Sequence, residues 1–271
     1  MGFWEADGHI RPNLSEQRVT REQLLAILDQ TLETIALSNS NEKEALDWLS
    51  SNFPRLFDLY QRSNRGDQNN YFNFNDLFPI AYIAAGAFAE IERMLTKLDR
   101  ESWEKLREKA LPYIVKNSPR RGYHQLFNVL NEARGYVWLT DQGYSEVTFL
   151  EDRTGKSPDL LANNCGSTAI LEVKCVNQSD DDINQQVIQE HKTIKVEPKL
   201  SENFKTRILR SIRDAREQLD AYQLFADRKI VFLVVRLEFS QTTCGESYIE
   251  LGRFISAQST NGAEVFHQPT L

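Results

Sequence analysis

The chain has 271 residues, of which 41% are hydrophobic and 26% charged, and its formal net charge is −7. This length accommodates one large domain or two smaller ones, and this composition is typical of a soluble globular protein. The acidic total counts mildly against a nucleic-acid-binding protein. Residues 201–250 nevertheless contain eight acidic and eight basic side chains, so a local basic face is compatible with the total.

The sequence predicts a protein that is not bound to a membrane and that resides in a reducing, cytoplasmic environment. Its most apolar run, residues 79–88, is about half as long as the ~20 residues that a spanning helix needs. The first 13 residues contain acids and have no apolar core, unlike a secretory signal. An odd number of widely spaced cysteines favours neither a disulfide framework nor a zinc site; they are Cys165, Cys175 and Cys244.

Residues 1–115 are predicted to form a helical N-terminal domain or extension. Helix-spaced leucines follow a capping box that begins at Thr20. Further helices are predicted from Asn41, over about residues 77–98, and from near Asp99. The Asn-rich stretch 62–76 predicts a loop, and no strand pattern precedes residue 140.

Residues 116–240 are predicted to form an α/β core with a mixed central sheet flanked by helices. Branched residues between Gly166 and Asn177 predict the central strand. Residues 241–271 are expected to be a C-terminal extension, in which 247–255 predict a strand or hairpin. The predicted core elements are a helix ending near Gly143, strands at 145–152, 159–161 and 168–176, a helix at 203–227 and a strand at 229–239.

Three charged residues interrupt the apolar segment between Ser157 and Val176: Asp159, Glu172 and Lys174. Glu172 and Lys174 are two apart on one strand, so their side chains point to the same face. Unpaired buried charge is costly, which leaves two interpretations. One is a Glu–Lys pair at the solvated edge of the sheet. The other is a divalent metal site, in which Asp159, Glu172 and the carbonyl of Val173 supply the oxygen ligands that Mg²⁺ prefers.

The pattern of Pro158-Asp159, twelve intervening residues and then Glu172-Val173-Lys174 resembles the PD-(D/E)xK motif of the restriction-endonuclease-like nuclease superfamily. The predicted order of helix, three strands, helix and strand is also what that core requires. The resemblance implies that Asp159 and Glu172 bind Mg²⁺, which Mn²⁺ can replace, and that Lys174 orients or activates the attacking water. Metal-assisted hydrolysis of a phosphodiester needs these roles.

Two further features strengthen the resemblance. Glu132 lies on a largely apolar helix before the strands, where the family often has an acid that points toward the metal; a solvated helix residue is the alternative. Gln218 and Tyr222 are four apart on a predicted helix and resemble the QxxxY motif of the RecB-type exonuclease branch. The resemblance implies that Gln218 lies near the lysine or the substrate strand, with Tyr222 beside it; an ordinary helix pair is the alternative.

Some QxxxY nucleases hold an iron–sulfur cluster on four cysteines. Because this chain has three cysteines, without the spacing of a cluster, we expect no iron–sulfur cluster.

Two groups of basic residues are candidates for phosphate contacts. A stripe on the predicted helix consists of Lys205, Arg207, Arg210 and Arg213, and a second group consists of Lys116, Arg120 and Arg121. The alternatives are a solvated helix face, with Asp214, Glu217 and Asp220 as partners, and a solvated loop.

The sequence therefore predicts a Mg²⁺-dependent nuclease that acts on DNA. It leaves open whether RNA is also a substrate and whether the protein forms a homodimer. A restriction or defence endonuclease is the first expectation, and a repair or recombination nuclease is the second. The alternatives are a catalytically silent nuclease-like protein that binds nucleic acid or serves in an assembly, and an unrelated α/β protein with an accidental charge pair.

Overall fold

A computed structural model describes most of the chain from residue 47 onward. The described residues are 47, 50–63, 89–114, 124–151, 157–176, 200–222, 225–236, 245–259 and 263–270. The predictions for residues 1–46, 64–88 and 177–199 lie outside them.

The described part of the N-terminal region is helical. Its helices are α1 (Pro54–Ser63), α2 (89–96) and α3 (Arg100–Ala110), and α3 is followed by a 3₁₀ turn at Leu111–Tyr113. The helix predicted from near Asp99 is confirmed: the Asp99 carboxylate accepts a hydrogen bond from the Ser102 backbone N–H at 2.7 Å. Such a cap satisfies a donor that the first turn of a helix leaves without an internal partner.

The later elements in the described ranges are α4 (His124–Leu130), α5 (Glu132–Asp141), β1 (Glu146–Phe149), β2 (Leu160–Asn164), β3 (Ser167–Val176), α6 (Glu202–Ala221), β4 (Arg228–Arg236), α7 (Gly245–Ser256) and β5 (Glu264–Thr270). These strands form a five-stranded mixed sheet in the order β1-β2-β3-β4-β5. Strands β1 to β3 are antiparallel neighbours, whereas β3, β4 and β5 run parallel to one another. Parallel neighbours need crossover connections, and helices α6 and α7 lie in those connections.

The prediction of a strand or hairpin at residues 247–255 is wrong, because this segment lies within helix α7. Ser247, Leu251 and Ile255 are four residues apart and all are fully buried, so the segment buries one helical face rather than alternate residues. The sheet also continues past residue 240, because β5 pairs in parallel with β4.

The sheet separates two apolar layers, so the predicted α/β class, with a mixed sheet flanked by helices, is confirmed. Leu171 and Val173 of β3 pack in one cluster with α1 to α5, whereas Ile170 packs in the other with α6 and α7. This division follows from the alternation of side chains along a strand. The described N-terminal helices therefore share a core with the sheet. None of the helices in the described ranges has the length and apolarity to span a membrane.

Helix α5 approaches the sheet closely at Gly135. A Cβ atom there would lie 2.9 Å from Cγ2 of Val173 and 3.0 Å from Cδ1 of Leu160 and Cδ2 of Leu171. We therefore expect Gly135→Ala to lower the free energy of unfolding by about 1–3 kcal/mol through overpacking, measured by urea denaturation. This loss outweighs the gain of up to about 1 kcal/mol in helix propensity.

Gly252→Ala is the matched control, because Gly252 also lies in a helix but its added Cβ would come no closer than 3.8 Å to a neighbouring side chain. We expect this variant to gain about 0.5–1 kcal/mol from helix propensity alone. Equal stability of the two variants would contradict the close fit at Gly135.

Candidate active site

Asp159 and Glu172 lie level with each other on adjacent strands. The antiparallel register pairs Leu160 with Leu171, so the residue before β2 stands opposite Glu172 on β3. Oδ2 of Asp159 accepts a hydrogen bond from the backbone N–H of Val173 at 2.9 Å. This bond holds the Asp159 carboxylate against β3, and both acids are buried.

Lys174 links Glu172 to helix α6. Its Nζ donates to Oε1 of Glu172 at 2.6 Å and to Oε1 of Gln218 at 3.1 Å. Nε2 of Gln218 in turn donates to the carbonyl of Ser157 at 2.7 Å. The structure thus brings four of the predicted residues, Asp159, Glu172, Lys174 and Gln218, into one connected site, and Gln218 fixes both the ammonium and the chain that leads into β2.

Tyr222 stands apart from this network. Helix α6 ends at Ala221, and Tyr222 is the capping residue, with an extended backbone (ψ 122°). It is partly buried and packs against the apolar cluster of α6, α7 and the sheet. The shared helical face predicted for Gln218 and Tyr222 needs a helix through both residues, and the helix ends between them.

Glu132 reaches the site through a residue that the sequence did not predict. Nζ of Lys109 donates to Oε2 of Glu132 and to Oδ1 of Asp159, each at 2.8 Å. Glu132 is the first residue of α5 and is buried. Lys109 lies on α3, three residues after the buried Leu106. This helical spacing is a weak sequence signal that Lys109 belongs to the buried face of α3.

Burial and mutual repulsion dominate the electrostatics of the site. Burial, the largest cause, and the negative charge of Asp159 together raise the pKa of Glu172 to about 8, against the opposing effect of Lys174. Burial and then Asp159 likewise raise the pKa of Glu132, although Lys109 opposes them. Burial alone would lower the pKa of Lys109, but Asp159 and Glu132 outweigh it and raise that pKa. The acids are therefore incompletely neutralised by the two lysines.

The residues present fit a divalent cation in chemistry, although within the described ranges no three His, Cys, Asp or Glu side chains form a ready-made metal cage. Oε2 of Glu172 is buried and has no hydrogen-bond partner among the described residues, and a buried carboxylate oxygen requires one. The position between Glu132 and Asp159 already accepts a cationic group, the Lys109 ammonium. Carboxylate oxygens are the ligands that Mg²⁺ prefers.

The backbone of Val173 is also oriented toward the site. The N–H and C=O of one strand residue point to the same side of the strand. Because the Val173 N–H bonds Asp159, its carbonyl also points toward the β2 side. It is therefore on the correct side of β3 to serve as the predicted ligand.

No protein-family model matches this chain, and neither a curated protein nor a solved structure matches it. The resemblance to the nuclease motif therefore rests on the residues of this chain alone: Asp159, Glu172 and Lys174 on neighbouring strands, with Gln218 behind the lysine.

The four residues of the predicted basic stripe on α6 differ in their partners and exposure. Lys205 forms ion pairs with Glu202 and Glu250 at 3.2 and 2.9 Å, and the Arg207 guanidinium lies 5.2 Å from the ring centre of Phe204. Two other members, Arg210 and Arg213, are exposed and pair with Asp214 at 3.9 and 2.9 Å.

These ion pairs match the solvated-face alternative, so phosphate contact by the stripe stays a prediction. Lys116, Arg120 and Arg121 lie outside the described residues.

The arrangement is suited to the hydrolysis of a phosphate ester. Two of the three Nζ–H donors of Lys174 bind Glu172 and Gln218. The third has no acceptor among the described residues and could orient a water molecule. A bound divalent ion would supply Lewis acidity and neutralise the developing charge. Asp159 and Glu172 are the residues that would hold it, with Glu132 and the Val173 carbonyl adjacent.

Proposed function

We propose that this protein is a Mg²⁺-dependent nuclease that hydrolyses phosphodiester bonds in DNA, with a restriction-endonuclease-like core. One observation carries the proposal: Asp159, Glu172 and Lys174 share one site, in which a buried Glu172 oxygen has no partner among the described residues. A structural ion pair alone would not account for that oxygen, because leaving a buried polar atom without a hydrogen bond is costly.

In this proposal, Asp159 and Glu172 bind Mg²⁺ or Mn²⁺, and Lys174 orients the attacking water. Gln218 holds Lys174 in place from α6, through the hydrogen bond at 3.1 Å. Arg210 and Arg213, which are exposed on the same helix, are candidates for phosphate contacts. Charged side chains of this kind position a nucleic acid without reading its sequence.

A restriction or defence endonuclease is the biological role that we favour, with a repair or recombination nuclease next. The helical N-terminal region supports the first, because it offers surface for a recognition element next to the site. Gln218 supports the second, through its likeness to the RecB-type branch. DNA is the proposed partner, and RNA is the alternative substrate.

A second candidate is a nuclease-like protein that binds nucleic acid without cutting it. The Lys109 ammonium favours this candidate, because it pairs with both Glu132 and Asp159 without a metal. The two candidates differ in whether the site accepts a divalent ion in place of this contact.

The test is cleavage of supercoiled and linear DNA in Mg²⁺, in Mn²⁺ and in EDTA. We expect wild-type protein to cut in either metal and not in EDTA, and Asp159→Asn to be inactive. Nicking of the supercoiled circle would identify an endonuclease. The matched control is Asp220→Asn, which changes an exposed acid on α6 that pairs with Lys229 and should not affect cleavage. Binding of DNA without cleavage of either form would support the silent alternative.

A further inference from the structure

Lys109 brings a positive charge from the N-terminal helices into the candidate active site. Its ammonium lies 2.8 Å from Oε2 of Glu132 and 2.8 Å from Oδ1 of Asp159. The two acids come from different elements, the start of α5 and the residue before β2, and both are buried. Lys109 thus bridges two carboxylates in the manner of a bound cation.

The contact between Lys109 and Asp159 occupies Oδ1 of Asp159, an oxygen that the proposed metal would need. Oδ2 of Asp159 already accepts the Val173 N–H, so Oδ1 is the remaining oxygen, and it accepts from Lys109. An Mg²⁺ ion binds carboxylate oxygen at about 2.0–2.1 Å, so an ion on Oδ1 and the ammonium would be like charges only a few ångströms apart. In a buried site such repulsion is weakly screened.

We propose that Lys109 is a tethered counter-cation that occupies the metal position when no metal is bound and that the divalent ion must displace. The inference rests on the proposed function, because it concerns the control of that same site. Lys109 belongs to α3, and α3 packs in the same apolar core as the sheet. The N-terminal helices therefore set the metal concentration at which the site becomes occupied.

The first experiment measures Mn²⁺ binding by isothermal titration calorimetry of the full chain. Lys109→Met keeps the alkyl stem and removes the charge, and we expect it to bind Mn²⁺ at least about tenfold more tightly than wild type, since ten times in affinity is about 1.4 kcal/mol. The matched control is Lys105→Met, one helical turn earlier. Lys105 pairs with Glu101, and its side chain is 39% exposed against 32% for Lys109. The control should bind Mn²⁺ as wild type does.

A second measurement uses the wild-type protein and needs no folded variant. Acetylation of lysines by a small reagent is followed residue by residue by mass spectrometry, with and without Mg²⁺. Lys109 should react several times faster when Mg²⁺ is added, because its ammonium leaves the two acids, whereas Lys105 should not change.

The outcomes separate this inference from the proposed function. If wild type binds metal and cuts DNA, but Lys109→Met binds Mn²⁺ no more tightly and Lys109 reactivity does not rise, the displacement is overturned and the nuclease proposal stands. If wild type and Lys109→Met both fail to bind Mn²⁺, both proposals are overturned.

Discussion

Replacing Lys174 with methionine is expected to slow DNA cleavage by about 10²–10⁴-fold, the usual contribution of a positioned proton-transfer group, without weakening DNA binding. Methionine keeps the length of the alkyl stem but cannot donate to Glu172, to Gln218 or to a water. The measurement is the single-turnover cleavage rate at saturating Mg²⁺, together with the DNA dissociation constant in Ca²⁺.

Lys229→Met is the matched control for Lys174→Met. Both lysines lie on central parallel strands, and both side chains are 29% exposed and ion-paired. Lys229 pairs with the exposed Asp220 of α6, so losing its charge should leave cleavage unchanged and cost little stability. A Lys174→Met variant that cuts within tenfold of wild type would remove this lysine from the mechanism.

Neutralising Glu172 is expected to stabilise the metal-free protein at high pH. Its pKa is raised from 4.5 to about 8 in the folded state, so the folded chain retains a proton that the unfolded chain releases. The wild-type free energy of unfolding should therefore fall as pH rises from about 4.5 to about 8. A rise of the pKa from 4.5 to about 8 corresponds to roughly 4–5 kcal/mol at about 1.4 kcal/mol per pKa unit. Glu172→Gln cannot titrate and should therefore be more stable than wild type by about 4 kcal/mol at pH 8.

This prediction is checked by urea denaturation in EDTA at pH 5 and pH 8, where the advantage of Glu172→Gln should appear only at the higher pH. Glu217→Gln, which removes an exposed acid of α6, is the control and should show no such gain. Added Mn²⁺ should then stabilise wild type and not Glu172→Gln, because a ligand that binds only the folded state stabilises it. Equal stability of wild type and Glu172→Gln at pH 8 would show that the Glu172 carboxylate carries no burial cost.

The predictions for Lys174 and Glu172 concern one ion pair, which we propose serves function at a cost in stability. Glu172 is 2% exposed and has one oxygen without a partner among the described residues, which costs stability in the metal-free protein. Residues that break the local rules of burial in this way are concentrated at functional sites. A bound cation would relieve this cost, which is why we propose metal binding rather than a structural role for Glu172.

Much of the local structure could be predicted from the sequence, because it depends on neighbours along the chain. The two-residue spacing of Glu172 and Lys174 places both on one face of a strand, and Asp99 caps the helix that it precedes. The prediction of a strand at residues 247–255 is wrong because their apolar spacing suits a short strand as well as a helix. Only packing of Leu251 and Ile255 against the sheet decides between them.

The contacts between distant segments were decided by the tertiary structure alone. Lys109 meets Glu132 and Asp159 across 23 and 50 residues of sequence, and no periodicity or capping pattern specifies such a pair. The close approach of Gly135 to β2 and β3 likewise depends on how α5 packs, not on its own residues. The sequence by itself determined which acids and which lysine share a strand face, since side-chain direction alternates along a strand. Which further cation enters the site was determined by the packing of α3 against the sheet.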